Sequence, residues 1–138
     1  MAGIITQIIP KQRFDFTWLG NNATKTIVLH SALNVVPYYY ARFAVRLHAT
    51  CTLVTGQSVD LEAFGTDPSP DDPTEFTKTG TAALSASIDD STSVPSLLSA
   101  TASDLDPFLK LILTFNQCST GGTPFWVELS ADLILREG

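Results

Sequence analysis

The sequence predicts an all-β protein: an antiparallel β-sandwich or jelly roll of about eight strands, with an extended N-terminal arm. Three observations predict this fold. Apolar and polar residues alternate along several stretches, which puts each set on one face of a strand. Turn-forming residues separate these stretches at intervals of roughly ten residues. The most apolar stretches need a second layer to cover them in water, so two packed sheets are expected.

Length and composition are typical of one folded domain. The chain has 138 residues and a mass of 14.9 kDa, with 44% hydrophobic and only 16% charged residues. This balance indicates a folded chain rather than a disordered one. We predict an N-terminal arm at residues 1–12 and a single β-sandwich domain at residues 13–138.

Charge and hydropathy argue against two classes of partner. The formal net charge is −6, and the eight Lys and Arg residues are scattered singly, so no basic stripe is available to hold phosphates. No apolar run reaches the ~18 residues that a membrane-spanning helix needs. The N-terminal segment lacks the positive charge and the long apolar run of a signal peptide. We therefore expect no nucleic acid and no membrane as partners, and no export by the usual route.

Isoleucine dominates the first segment of the chain. Ile4, Ile5, Ile8 and Ile9 fall within six positions and precede Pro10. Four such side chains are costly on a free surface. Two interpretations stay open: an edge strand that docks on its own domain, or an arm that adds to the sheet of a neighbouring copy. In the second interpretation these four isoleucines bind the partner.

Aromatic alternation marks the first strand after the arm, at Phe14, Phe16 and Trp18. A turn follows, and residues 24–30 then predict a short second strand because apolar side chains recur at every other position. These two strands open the predicted sandwich.

Residues 38–55 and 58–65 predict the next two strands. A helix competes for residues 40–48, but the strict alternation and the β-branched run that ends the longer stretch favour a strand. If these two strands paired, their outer faces would share a solvated ladder of opposite charges. That ladder would comprise Arg42, Arg46, Asp60 and Glu62.

A proline-rich loop at residues 66–74 carries the metal candidates. Its prolines forbid ladder hydrogen bonds and stiffen the chain. Hard cations such as Ca²⁺ bind clustered carboxylates. This loop and the residue after it supply four of them: Asp67, Asp71, Asp72 and Glu75. Their spacing does not match an EF-hand loop, so a rigid solvated loop is favoured, and we expect no cofactor.

The last third of the chain contains the most apolar stretches. Residues 76–88 predict one or two short strands, whereas residues 97–102 fit either a strand or a helical turn. Residues 107–137 contain two alternating runs joined by a Gly-rich turn, which we interpret as one long β-hairpin with a single apolar face. The apolar set is Leu109, Leu111, Leu113, Phe115, Phe125, Val127, Leu129, Ala131, Leu133 and Leu135.

No motif for catalysis is evident. The two histidines, His30 and His48, lack a metal-ligand spacing, and no serine stands in a nucleophile elbow. Cys51 and Cys118 have no C-x-x-C partner and are expected to stay reduced. We therefore predict that the protein is not an enzyme.

Several aromatic residues fall on outer positions of the predicted strands. The candidates for partner contacts are Tyr38, Tyr39, Tyr40 and Trp126. Exposed aromatic rings stack on sugar rings in many carbohydrate-binding modules. A loop or a partner subunit could cover these rings instead, and this second interpretation is favoured.

Four stretches, residues 43–56, 59–67, 106–115 and 127–137, resemble small β-sandwich virion proteins of tailed bacteriophages and phage-like particles. These include head decoration proteins, which bind the outside of the capsid shell. The resemblance implies a non-enzymatic capsid decoration or stabilising protein that contacts capsid or other virion proteins and forms a homo-oligomer. It also implies location in the virion after synthesis in the host cytoplasm. The alternative is a carbohydrate-binding sandwich, with calcium in the loop at residues 67–75.

Overall fold

The computed structural model describes residues 3–68, 76–78 and 81–137, with residues 66–68 and 76–78 described by their backbone alone. Regular structure in these ranges consists of strands. They are β1 (Gly3–Asp15), β2 (Thr24–Asn34), β3 (Tyr40–Thr50), β4 (Ser58–Pro68), β5 (Phe76–Lys78), β6 (Leu84–Asp89), β7 (Ser96–Ser103), β8 (Phe108–Asn116) and β9 (Trp126–Arg136).

The strands form two antiparallel sheets. The first, which we call the A sheet, has the order β1-β9-β3-β7. The second, the B sheet, has the order β2-β8-β4, and both β6 and the short β5 pair with the outer edge of β4. Without β5, two four-stranded sheets remain, which is the arrangement of an eight-stranded jelly roll. The predicted all-β fold class is confirmed.

The chain crosses between the sheets at every connection except those that join β4, β5 and β6. The hairpin predicted for residues 107–137 is therefore wrong, because β8 is a central strand of the B sheet and β9 a central strand of the A sheet. Each strand has one fully apolar face. The two faces are buried best when they cover each other from opposite layers, rather than side by side in one sheet.

The same crossing separates β3 from β4. The charge ladder expected from their pairing is absent, because Arg42 and Arg46 lie on the outer face of the A sheet. Asp60 and Glu62 lie on the outer face of the B sheet. These two arginines and two carboxylates are thus carried by opposite outer faces.

Inward-facing side chains of both sheets make one core. Full burial of each large apolar side chain stabilises the fold by about 1.5–3 kcal/mol, which explains why the alternation is so regular in the central strands. The largest fully buried apolar side chains are Ile9, Phe43, Leu47, Leu84, Leu109, Leu111, Leu113, Phe115, Phe125, Leu129 and Leu133.

The N-terminal segment is an edge strand of its own domain. β1 pairs with β9 from Gly3 opposite Arg136 to Asp15 opposite Trp126, and it passes residue 12 without leaving the sheet. The first of the two interpretations of this segment therefore describes the fold. Ile9 is buried in the chain's own core, and Ile8 packs against that core. Partner binding by Ile4 and Ile5, which are exposed, stays a prediction.

The stretches left open by the sequence are also strands. Residues 97–102 belong to β7, and residues 76–88 contain the two short strands β5 and β6. The helix that competed for residues 40–48 is absent, because β3 spans them. Trp18 lies beyond β1, in the turn that leads to β2, so the first strand ends earlier than its alternation suggests.

The two ends of the sandwich carry different connections. The end with Gly3 and Arg136, which we call the termini end, carries the connections at 35–39 and 104–107. The opposite end, the loop end, carries those at 16–23, 51–57, 90–95 and 117–125.

A buried amide pair joins two connections of the loop end. Gln57 Nε2 donates to Gln117 Oε1 at 2.8 Å and to the Pro124 carbonyl at 3.0 Å. Gln57 Oε1 accepts from the Val54 N–H at 3.0 Å, and Gln117 Nε2 donates to the Thr123 carbonyl at 3.0 Å. Because these hydrogen bonds satisfy both side-chain amides in the interior, they tie residues 51–57 to residues 117–125.

Candidate interaction surface

Groups that could act in catalysis are scattered in the part of the chain that the structure describes. His30 lies on β2, where its Nδ1 accepts from the Ala32 N–H at 3.2 Å. His48 lies on β3 in the other sheet, 2.9 Å from Ser130 Oγ. Within the described ranges, no three His, Cys, Asp or Glu side chains are close enough to hold a metal ion.

Calcium binding by the four candidate carboxylates stays a prediction. Asp71, Asp72 and Glu75 lie outside the described residues, and Asp67 is described by its backbone alone, as part of β4. The two thiols, Cys51 and Cys118, are free.

The candidate aromatic residues do not form one cluster. The three tyrosines, at positions 38–40, lie at the termini end, whereas Trp126 begins β9 at the loop end. Trp126 and Arg136, which pairs with Tyr40, are the two ends of the 11-residue strand β9, so the two groups are roughly 33 Å apart at ~3.3 Å per step.

Two of these rings are covered by arginine. The Arg13 guanidinium stacks 3.9 Å from the centroid of Trp126, and that of Arg136 lies 5.7 Å from the centroid of Tyr40. Tyr38 is half-buried against the core, and Tyr39 is exposed. Cover for Trp126 was expected, but it comes from the neighbouring strand rather than from a loop or a second subunit.

An exposed ring that the sequence did not single out is Trp18. It is 68% exposed, and its ring meets that of Phe16 edge-on with centroids 5.8 Å apart. The alternation of Phe14, Phe16 and Trp18 suggested an inward ring. The turn residues that follow, from Gly20 onward, were the available signal that the strand ends early.

The first half of β1 is an uncharged edge. β1 pairs only with β9 among the described strands, so its other side is unpaired. Residues 3–7 are in regular register, and their outward and rim positions include Ile4 and Ile5, which are 44% and 72% exposed. Two irregularities in the pairing register follow this segment, and so do Pro10 and Lys11. Such features block strand addition, so the protected part of the edge is its second half.

The gap between the two edge strands is a shallow groove. It has a volume of about 140 Å³ and lies where β1 approaches β2. Its apolar lining consists of Ile8 of β1, Leu29 and Leu33 of β2, and Leu111 beneath them. Its polar lining consists of Thr6, Gln7 and His30. The groove continues the apolar edge of β1 towards the B sheet.

The outer face of the A sheet combines aliphatic and basic side chains. One row across the four strands contains Ile5, Ile134, Arg42 and Thr101, as the strand registers place them. Arg46 follows Arg42 on the same face of β3, beside Leu97, which is exposed.

The outer face of the B sheet has rows of a different kind. One row contains Val28, Ile112, Glu62 and Ser85. Two neighbouring rows are polar and hydrogen-bonded. In one, Thr24 Oγ1 donates to Asn116 Oδ1 at 2.9 Å, and in the next, Ser87 Oγ donates to Asp60 Oδ1 at 2.7 Å. Asn116 Nδ2 donates to Asp60 Oδ2 at 3.3 Å and so joins the two rows.

Carboxylates at the loop end are stabilised by the turns they cap. The Ser91 hydroxyl, at 2.6 Å, and the Ser91 N–H, at 2.9 Å, hold the pKa of Asp89 below its ordinary value. The Thr17 N–H does the same for the pKa of Asp15. These groups fix loops and do not face a common cleft.

No protein-family model and no curated protein matches this chain. Among solved structures, it is similar to VP2 of infectious bursal disease virus in a subviral particle, with 11% identity and a TM-score of 0.55 over 97% of this chain and 31% of VP2. The Gx strain of that virus gives 12% identity and a TM-score of 0.52, over 99% of this chain and 32% of the other.

The C-terminal domain of EclA, a sugar-binding protein, has 16% identity and a TM-score of 0.46, over 88% of this chain and 78% of that domain. The chain spans about a third of the length of the viral chains that it matches. At these identities the likeness shows the fold alone. In the part of the chain that the structure describes, no helix is long and apolar enough to cross a membrane.

Proposed function

We propose that this chain is a non-enzymatic structural protein of a virion. It decorates or stabilises the capsid by binding capsid or other virion proteins, and it is located in the virion after synthesis in the host cytoplasm. The observation that carries this proposal is the uncharged, unpaired first half of β1, where Ile4 and Ile5 are exposed.

The chemistry of this edge fits a protein partner. Unpaired backbone N–H and C=O groups along residues 3–7 can receive a strand from another chain, and aliphatic side chains beside them favour apolar cover. Burying one isoleucine side chain stabilises a complex by about 1.5–3 kcal/mol before the costs of association. Sugars and phosphates would instead favour polar groups at such a site.

Two further observations support the proposal. The strand order is that of a jelly roll, and VP2, which shares this fold, is found in a subviral particle. The potentially reactive side chains of the described residues are dispersed, with His30 and His48 in different sheets.

Co-sedimentation with particles tests this proposal. Particles purified from the natural source on density gradients should carry the wild-type chain at a fixed ratio to the main shell protein. The double variant Ile4→Lys with Ile5→Lys should bind stripped particles about tenfold or more weakly, because it places charge on the contact edge.

A matched control places two lysines at the other end of the molecule, as Val54→Lys with Val94→Lys. Both valines are exposed, 39% and 46%, and neither lies on β1. The control should bind particles like the wild type. Absence of the wild-type chain from purified particles, or equal binding by both double variants, would overturn the proposal.

A second candidate function, carbohydrate binding, is favoured by the exposed Trp18 ring at the loop end. A glycan array, read with and without a calcium chelator, tests it. Saturable binding that is lost in Trp18→Ala or Tyr39→Ala would support this function over the structural one. A chelator effect would in addition implicate the loop at residues 67–75.

A further inference from the structure

The two outer faces carry opposite charge in the part of the molecule whose side chains are described. On the A sheet, five cations face outward against three carboxylates: Lys11, Arg13, Arg42, Arg46 and Arg136 against Asp15, Glu128 and Asp132. On the B sheet, one cation faces outward against three carboxylates: Lys110 against Asp60, Glu62 and Asp89. The two faces thus differ in the sign of their net charge, although the chain has few charged residues.

The row that contains Arg42 and the row that contains Glu62 match in chemistry. Across the A sheet, two aliphatic side chains are followed by an arginine and a threonine. Across the B sheet, two aliphatic side chains are followed by a glutamate and a serine. The strand order matches too, because β1 borders β2 along the groove and β6 contacts β7 at the other side of the sandwich.

The charges in these rows have no ionic partner among the side chains that the structure describes. The ion pair found among the described residues is Lys11 with Glu128, whose side-chain atoms are 3.7 Å apart. Arg42, Arg46 and Glu62 have no ion pair or hydrogen bond in those ranges. Asp60, by contrast, accepts from Ser87 and Asn116. Arg42 and Glu62 are therefore available to an external charge.

We infer that the outer face of the A sheet of one copy binds the outer face of the B sheet of the next copy. This rests on the proposed function, for which it specifies how copies of the chain meet. Packing either face on itself would oppose like charges, which costs free energy, whereas the A-to-B contact pairs Arg42 with Glu62 and joins the aliphatic halves of the two rows. The contact is heterologous, so repetition gives a ring or a row of copies.

The area available is sufficient for such a contact. Four strands spaced by about 4.8 Å and up to 11 residues long offer a footprint of roughly 700 Å². A standard interface buries roughly 600–1,000 Å² per partner, so the footprint lies within this range. Leu97 and Ile5, both exposed on the A sheet, lie inside this footprint.

Sedimentation velocity over a concentration series tests the inference with single charge reversals. Arg42→Glu removes the net positive charge of the A-sheet face and puts a carboxylate where Glu62 of the next copy would lie. Glu62→Arg removes the net negative charge of the B-sheet face and puts a guanidinium where Arg42 of the next copy would lie. Each variant alone should associate about tenfold or more weakly than the wild type. An equimolar mixture should recover association, because opposite charges then face each other at positions 42 and 62 of the two variants. Raising the salt concentration from about 0.1 M to 1 M should weaken wild-type association, because the Debye screening length falls to ~3 Å.

Lys25→Glu is the matched control, because it changes the net charge by the same amount as Arg42→Glu at the rim of β2, away from both rows. It should associate like the wild type. A monomeric wild type, wild-type association in Arg42→Glu, or a mixture that stays monomeric would overturn the inference. Particle binding is read separately: a monomeric chain that still co-sediments with particles refutes only this contact, whereas an associating chain absent from particles refutes only the proposed function.

Discussion

The loop end and the termini end of the sandwich use their side chains in different ways. At the loop end, the rings of Phe14, Phe16 and Phe125 pack around Phe115, with centroids 4.5–6.1 Å from it, and buried amides join the connections. At the termini end, the connections are held mainly by backbone hydrogen bonds, such as that from the Tyr39 N–H to the Arg136 carbonyl at 3.1 Å. Ile4 and Ile5 are exposed beside these connections, whereas the exposed Trp18, Val54 and Val94 of the loop end lie within its own connections.

The packing that stabilises the loop end is thus distant from the exposed edge of β1 that we propose as the contact with virion proteins. Changes at the loop end should lower the free energy of unfolding. Changes on the exposed edge of β1 should affect association and leave the fold intact. Substitutions at the two ends can therefore test each role separately.

The largest effect is expected for Phe115→Ala. This ring is 1% exposed and contacts three other aromatic rings, so its removal leaves a cavity that costs about 3–5 kcal/mol. Urea unfolding, followed by tryptophan fluorescence, measures the change. Tyr39→Ala, at the other end, should change the free energy of unfolding by less than about 0.5 kcal/mol. Similar losses for both variants would remove the contrast between the ends.

A smaller loss is expected for Gln117→Ala. It removes the acceptor of the Gln57 amide and of the Cys118 N–H, and a buried group without a partner costs about 1–3 kcal/mol. A double-mutant cycle with Gln57→Ala should give a coupling energy of at least about 0.5 kcal/mol. Strictly additive losses in denaturant unfolding would show that the two amides act independently.

Gly56→Ala should cost about 1–2 kcal/mol, because Gly56 has a φ of +98° that residues with a Cβ rarely adopt. An added Cβ would also lie 3.3 Å from Cys118. Gly20→Ala is the control, since an added Cβ there meets nothing within 4 Å. Thermal unfolding compares the two variants, and equal melting temperatures would contradict the prediction.

Asp89→Asn should lower stability at neutral pH, and this loss should fade in acid. The folded-state pKa of Asp89 lies below its unfolded value of about 3.8, so the carboxylate contributes stability above that value. This contribution is lost as the pH falls through the folded pKa. The difference in unfolding free energy between wild type and variant should therefore shrink as the pH falls from about 5 through the range in which carboxylates titrate. A difference that is constant with pH would point to another cause.

The smallest change in stability is expected for Ile5→Lys. The Ile5 side chain is exposed on an edge strand, so the free energy of unfolding should change by less than about 0.5 kcal/mol. Particle binding should nevertheless fall, which sharpens the contrast with the loop end. A loss of more than 1 kcal/mol in urea unfolding, on the order of a buried contact, would place Ile5 in the core instead.

The strands themselves could be predicted because alternation is a local property. The parity that places Leu109 and Leu129 inward is present in the sequence and needs no knowledge of pairing. It also showed which residues of β3 face outward. The prediction was weaker at strand ends, where Trp18 left the expected strand.

Pairing could not be predicted in the same way, since parity does not state which strand lies beside which. β8 and β9 each suit a central position, and the nine residues between them, 117–125, are enough to cross to the other sheet. The cover of Trp126 by Arg13 depends on the register of β1 against β9. The Gln57–Gln117 pair depends on two connections meeting, and amides in turns give no signal of burial.

One consequence of the strand order concerns synthesis of the chain. β9 lies between β1 and β3, so β1 has no neighbour in its sheet until residues 126–136 have left the ribosome. The isoleucine-rich segment, which is synthesised first, therefore stays unpaired until the segment that is synthesised last can pair with it. Such distant pairing makes folding slow. It also leaves an unpaired nascent segment with exposed apolar side chains, which chaperones would bind during translation.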